Sequence, residues 1–184
     1  MFCIRCLLGF LLVFALSGCV TTLNQEHHSA LSQQGYQTAL VAMQAGRDGE
    51  AINLFSKMTL DYPNLAGPYA NLGLLFQRQG LVKDAAVAFD KAIALQPSSA
   101  KIYNSAAVFY RSQGRFKDAE SAYLHAINKA ASYADPVLNL AILYDLYLQQ
   151  PIMAIKYYTH YLGLSDINNE QVALWLADLE QRQP

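Results

Sequence analysis

Residues 69–97 read YANLGLLFQRQGLVKDAAVAFDKAIALQP, and this stretch decides the fold. Its marks are Tyr69, Leu72, Gly73 and Phe76, a glycine at Gly80, then Ala85, Phe89, Ala92 and Pro97. Shifted forward by 34 residues, the marks return as Tyr103, Ala106, Ala107, Tyr110, Gly114, Ala119, Tyr123 and Ala126. Shifted back by 34, they return as Gly46, Ala51, Phe55, Met58 and Pro63. A fourth copy is looser. Asn139, Leu140, Ala141 and Tyr144 align with Asn71, Leu72, Gly73 and Phe76, but Gln149-Gln150-Pro151 stands where the glycine would be. One inserted residue then brings Ala154, Tyr158 and Tyr161 onto the pattern. The repeats therefore run over 32–65, 66–99, 100–133 and 134–168.

Each mark has a physical reason if a repeat is a pair of antiparallel helices. Small residues at Gly73, Ala107 and Ala141 let the paired helix come close, and Ala85, Ala119 and Ala154 do the same from the second helix. Phe89, Tyr123 and Tyr158 fill the space between repeats. Gly46, Gly80 and Gly114 supply the tight turn between helices. Pro68 and Pro136 sit near a first-helix start, where proline costs least. Pro63 and Pro97 stop the second helices. The aromatic stripes thus read as core. Residues 169–181 form one further amphipathic helix with Val172, Leu176 and Leu179 on one face. A stack of repeats exposes an apolar end that needs covering, so this helix is expected to cap the array, with Trp175 at its edge and a tail to residue 184. Docking a partner helix is its alternative use.

The pattern resembles the tetratricopeptide repeat, with Tyr69 in the usual tryptophan place and Phe76 in the usual tyrosine place. The resemblance implies an all-α fold: a right-handed superhelical solenoid of helix–turn–helix repeats. It also implies a concave groove, lined by first helices, that binds a peptide or a partner helix. Repeat positions 2, 5, 9 and 12 map that lining onto Tyr36, Leu40 and Met43, then Leu74 and Gln77. The third repeat adds Lys101, Asn104, Val108 and Arg111, and the fourth adds Leu138, Ile142 and Asp145. Arg78 neighbours Gln77. Arg78, Lys101 and Arg111 make a positive centre that either grips a carboxylate or acidic segment or is simply solvated. Co-chaperone members of the family hold a C-terminal carboxylate with a set of lysine, asparagine and arginine. Here Leu74, Val108 and Ile142 occupy the place of one clamp asparagine, so that clamp is not preserved.

Outside the repeats, composition narrows the function. The 184-residue chain has a net charge of -1, so no field favours nucleic acid. Charged residues make up 15%, well below the roughly 25% of an average soluble domain. All three cysteines, Cys3, Cys6 and Cys19, precede residue 20, so the repeats can hold no disulfide framework. Residues 7–16, LLGFLLVFAL, follow Arg5 and are shorter than a membrane span. They have the length of a signal-peptide core, the alternative being an uncleaved anchor. Leu16-Ser17-Gly18-Cys19 resembles the bacterial lipobox. That resemblance implies a signal peptide over 1–18, cleavage before Cys19, and a thioether-linked diacylglycerol on Cys19, with palmitate or a similar acyl chain besides. Two or three chains make a long-lived anchor. Val20 after the cysteine points, by the same analogy, to the outer membrane, facing the periplasm. Residues 19–31 read as a lipidated tether. His27-His28 make a weak metal site at most, and the bland tether reading is preferred.

No catalytic constellation, phosphate loop or zinc spacing occurs. His125 and His160 read as solvated surface. Neither enzyme activity nor a cofactor is expected. Anchor and repeat together resemble the type IV pilus pilotin lipoproteins and the tight-adherence pilus lipoproteins. That implies a membrane-anchored scaffold recruiting a protein partner to an envelope assembly such as a pilus or secretion system. The alternative is an adaptor or regulator of peptidoglycan-processing enzymes.

Overall fold

A computed structural model describes residues 31–164 and 169–182. The signal segment, Cys19, the tether with His27-His28, and the end of the fourth repeat at 165–168 lie outside the described residues. Every regular element among the described residues is helical, as the repeat pattern requires. The chain divides between Pro63 and Asn64 into two compact units.

The described residues of the first unit form one helix pair. Helix α1 covers residues 31–44 and α2 spans Asp48–Asp61. Ala39, Ala42, Ala51 and Phe55 are fully buried. Tyr36 meets the Phe55 ring edge-on, with centroids 5.6 Å apart. Gly46 closes α1 at φ +72°, and Arg47 N–H then bonds back to the Ala42 carbonyl at 2.9 Å.

The second unit holds three further pairs and a last helix. Helix α3 (Ala66–Arg78) packs on α4 (Val82–Leu95), α5 (Ala100–Ser112) on α6 (Phe116–Lys129), and α7 (Ala134–Ile142) on α8 (Pro151–Gly163). Helix α9 (Glu170–Gln181) lies on α8. First helices are neighbours, α3 with α5 and α5 with α7. Their turns repeat to the atom: Gly80 and Gly114 adopt φ +72°, and Leu81 N–H to Phe76 O matches Arg115 N–H to Tyr110 O, both 2.9 Å. A residue bearing Cβ is disfavoured at that φ, which is why glycine recurs there. Pro68 and Pro136 are buried in first-helix starts. Helices α2 and α4 end at Asp61 and Leu95, ahead of Pro63 and Pro97.

The core of the second unit is built from the spacing marks. Phe89 is fully buried, 5.4 Å from Phe109 by ring centroids. Gly73 lies so close that a Cβ there would sit 2.9 Å from that ring. Tyr123 and Tyr158 are buried to the same degree. Each such ring is worth about 1.5–3 kcal/mol of hydrophobic burial. Helix α9 seals the end, burying Val172 and Leu179, with Trp175 tilted against Tyr158 at 6.0 Å. Its start is capped by Asn169, whose Oδ1 accepts from Val172 N–H at 3.2 Å.

The inserted residue of the fourth repeat has a definite place. Helix α7 widens into a π-helical segment, Leu143–Tyr147, in which Leu148 N–H reaches the Leu143 carbonyl at 3.0 Å. The turn-closing bond is Gln150 N–H to Tyr144 O at 2.9 Å, one residue longer than Leu81 to Phe76. Gln149 takes the left-handed turn conformation at φ 52° in place of glycine. Gln149→Gly is expected to raise stability by about 0.5–1 kcal/mol, because the relieved steric cost exceeds the added unfolded-state entropy. A higher midpoint in urea denaturation would register it; a lower midpoint would show that the Gln149 side chain supports the turn.

Candidate functional site

In the first unit, Tyr36, Leu40 and Met43 are half-buried along α1. The rest of the expected lining belongs to the second unit, where α3, α5 and α7 present one face each. Leu74, Gln77, Val108, Leu138 and Ile142 are half-buried there, so apolar surface reaches solvent along this face. Side chains stitch the helices together. Gln77 Nε2 donates to Ser112 Oγ at 3.3 Å. Asn104, only 9% exposed, donates to Tyr133 Oη at 3.2 Å and accepts from Asn139 Nδ2 at 3.2 Å. Asn104 is therefore a bracket between α5 and the fourth repeat, with both its carbonyl and its amide engaged.

The three cations do not form one cluster. Lys101 opens α5 and Arg111 closes it, about 15 Å apart along the axis at 1.5 Å per residue. The Gln77–Ser112 bond instead brings the ends of α3 and α5 together, and these carry Arg78 and Arg111. Both arginines stand in a last turn, where helix dipoles favour positive charge. Lys101 is exposed at the opposite end of α5.

Arg111 is the unusual member. Its guanidinium lies 5.8 Å from the centre of the Tyr147 ring, within cation–π range. Its Nη1 is buried and finds no hydrogen-bond partner, and neither does the buried hydroxyl of Tyr123. Buried donors left alone are rare and costly. Burial pushes the Tyr123 phenol up to about 12, against a smaller opposite pull from Arg111. Tyr110 is also pushed up to about 12, by burial first and then by Asp90, whose carboxylate accepts its hydroxyl at 3.1 Å. These phenols ionise more readily unfolded than folded. Their stabilisation is complete below pH 10 and is lost as pH rises from about 10 to 12. The expected loss is on the order of 2 kcal/mol for Tyr123 and smaller for Tyr110, whose partner Asp90 is exposed and screened by solvent. Tyr123→Phe should flatten the fall of the urea midpoint across that window, and cost nothing at neutral pH because the lost hydroxyl has no partner. An unchanged alkaline slope would exclude Tyr123 from the effect.

In the next repeat, at the widened end of α7, lies a cavity of about 760 Å³. Ile142 and Asp145 bring the inner face of the fourth repeat into it, Leu146 and Gln149 come from the widened turn, and α9 adds Trp175 and Asp178. Asp145 accepts the Tyr158 hydroxyl at 3.2 Å, and together with burial this carboxylate drives the Tyr158 phenol upward. Asp178 is held by Arg182 at 2.6 Å. This volume suits a ligand or a few side chains of a bound segment.

Position rules had reached only Ile142 and Asp145 of this cavity. The remaining walls come from the π segment and the turn after it, from Pro151 and Tyr158 of α8, and from the capping helix, none of them first-helix groove positions. The missing glycine at Gln149 was the signal available. His160 is exposed. His125 is exposed but stacks on Tyr103, ring centroids 5.1 Å apart, so it is more than solvated surface. Among the described residues, no three metal-ligating side chains gather, and no helix is long and apolar enough to cross a membrane.

The tetratricopeptide repeat model matches residues 66–99 and 100–130, and the chain carries repeats of this kind. Among solved structures, pilF of Pseudomonas aeruginosa is similar with a TM-score of 0.75 at 26% identity, over 83% of this chain and 68% of that one. MamA is similar with a TM-score of 0.69 at 21% identity, over 78% and 82%. A tetratricopeptide repeat protein from Parabacteroides merdae gives 0.69 at 18% identity, over 81% and 59%. The last two are likenesses of fold. No match is found among curated proteins. The fold is one typical of protein–protein interaction.

Proposed function

We propose that this chain is a lipid-anchored scaffold of the bacterial envelope, held on the outer membrane through Cys19 and facing the periplasm. It binds a protein segment along the inner face of its first helices and serves the assembly of a pilus or a related envelope machine. The observation that carries the binding role is the Arg111 end of that face. A buried guanidinium nitrogen and a buried phenol without hydrogen-bond partners stand at the carboxyl-terminal end of α5, and a carboxylate from a partner would satisfy the remainder of that half-buried guanidinium. The likeness to pilF supports the pilus reading. The lipobox at Leu16–Cys19 supports the anchor. The role is one of binding rather than catalysis.

The test is affinity capture from envelope extract with the full-length protein in detergent, beside a variant carrying Arg78→Glu, Lys101→Glu and Arg111→Glu. Loss of one partner from the variant supports the groove, and pilus assembly components among the lost proteins support the process. Peptidoglycan hydrolases or synthases in their place would favour the cell-wall adaptor. Identical partner sets would remove the groove proposal. For the anchor, Cys19→Ala should abolish processing and release the protein from the membrane fraction; normal processing with normal retention would defeat it.

A further inference from the structure

The cavity at the C-terminal end of the second unit has a chemistry of its own, opposite in sign to the Arg111 end. Its apolar walls are Ile142, Leu146 and Leu179, with Trp175 adding an aromatic wall. Trp175 is 39% exposed and Leu146 67% exposed, both large for side chains beside a covered core. Three charged groups reach the cavity: Asp145, Asp178 and Arg182. The arginine is committed to Asp178 at 2.6 Å, and also donates to the Asp178 carbonyl at 3.3 Å. Among the described residues, the partner of Asp145 is neutral, the Tyr158 hydroxyl on Oδ2. One negative charge is therefore left uncompensated beside an indole and an apolar wall.

We infer that this cavity receives a cationic side chain on an apolar stem, a lysine or arginine of the bound partner segment, with its head on Asp145 and its stem against Trp175, Leu146 and Leu179. The inference rests on the reading of the inner face as a segment-binding surface, and it names the chemistry at one end. Charge complementarity selects the occupant. An anionic group would meet Asp145 at short range, and a purely apolar one would strip water from a carboxylate without replacing it. A cation gains an ion pair with Asp145 and a cation–π contact with Trp175. The aliphatic stem of lysine or arginine covers apolar surface while its head stays polar. The widened turn makes this possible, because Asp145 and Leu146 both lie within the π segment.

The chain supplies its own reporter, since Trp175 is its single tryptophan. Full-length protein in a non-ionic detergent is titrated with a capped Leu-Lys-Leu-Leu-Lys-Leu peptide, its arginine counterpart and its glutamate counterpart, following tryptophan fluorescence. The expected result is a saturable change with lysine and arginine and none with glutamate. Asp145→Asn, which keeps an acceptor for Tyr158, should weaken the lysine peptide about tenfold, the scale of one lost charge contact of about 1.4 kcal/mol. Equal responses to all three peptides, no saturation with the lysine peptide, or unchanged affinity in Asp145→Asn would overturn the inference. A matching urea midpoint for the variant shows that the fold survives. The Arg78, Lys101 and Arg111 reversals provide the separation. If they abolish partner capture but leave the titration intact, the cavity stands independently of whether the arginine and lysine positions bind a partner.

Discussion

Phe89→Ala is expected to lower the unfolding free energy of the second unit by about 3–5 kcal/mol, the range for removing a buried aromatic ring. The ring has no exposed surface and touches its own repeat through Gly73 on α3 and the next repeat through Phe109 on α5. Its removal deletes the contact between two repeats as well as the apolar burial within one. In a repeat array the interface between neighbours holds the stack together. The loss should therefore be cooperative across α3 to α6. Urea denaturation followed by circular dichroism measures it, with Trp175 fluorescence reporting separately on the far end. A change under 1 kcal/mol would mean that the space refills.

Gly73→Val is the converse experiment, with an expected cost of about 3 kcal/mol from overpacking. Even the first added carbon would lie 2.9 Å from the Phe89 ring, and that ring is enclosed. The third repeat already carries Ala107 at the matching position, so the fold accepts one methyl where the neighbouring ring is placed for it. Because Gly73 and Phe89 share one space, the double variant should lose less than the sum of the singles, by about 1–3 kcal/mol. Additive losses would mean that the valine is accommodated by backbone movement away from the ring.

Much of the fold was legible because its rules are local. Gly80 and Gly114 mark a left-handed turn that few other residues tolerate. Gly73, Ala107 and Ala141 mark helix approach through side-chain volume alone, and the marks at Phe89, Tyr123 and Tyr158 follow from the space so created. The candidate site was legible only in part. Asn104 occupies a groove position by counting, yet Tyr133 and Asn139 engage it, the first from the far end of its own repeat and the second from the next. Lys101 and Arg111 share a face but not an end of the helix, a distinction that depends on rise per residue. The cavity at Asp145 escaped because an extra residue in a repeat reads equally well as a longer loop or a widened helix. Only the carbonyl that accepts Gln150 N–H decides between them.

That widened turn has a consequence for how such a chain can change. An extra residue in an ordinary α-helix rotates everything beyond it by about 100°, which would turn Ala154 and Tyr158 out of the core. Here the phase error is absorbed within Leu143–Tyr147, and Ala154 and Tyr158 arrive buried. The segment acts as a buffer against a register slip. Sequence on either side of it can drift in length by one residue while the packing surfaces keep their alignment. What the array preserves is the angular order of its faces, and a fixed residue count is only the commonest way of keeping it.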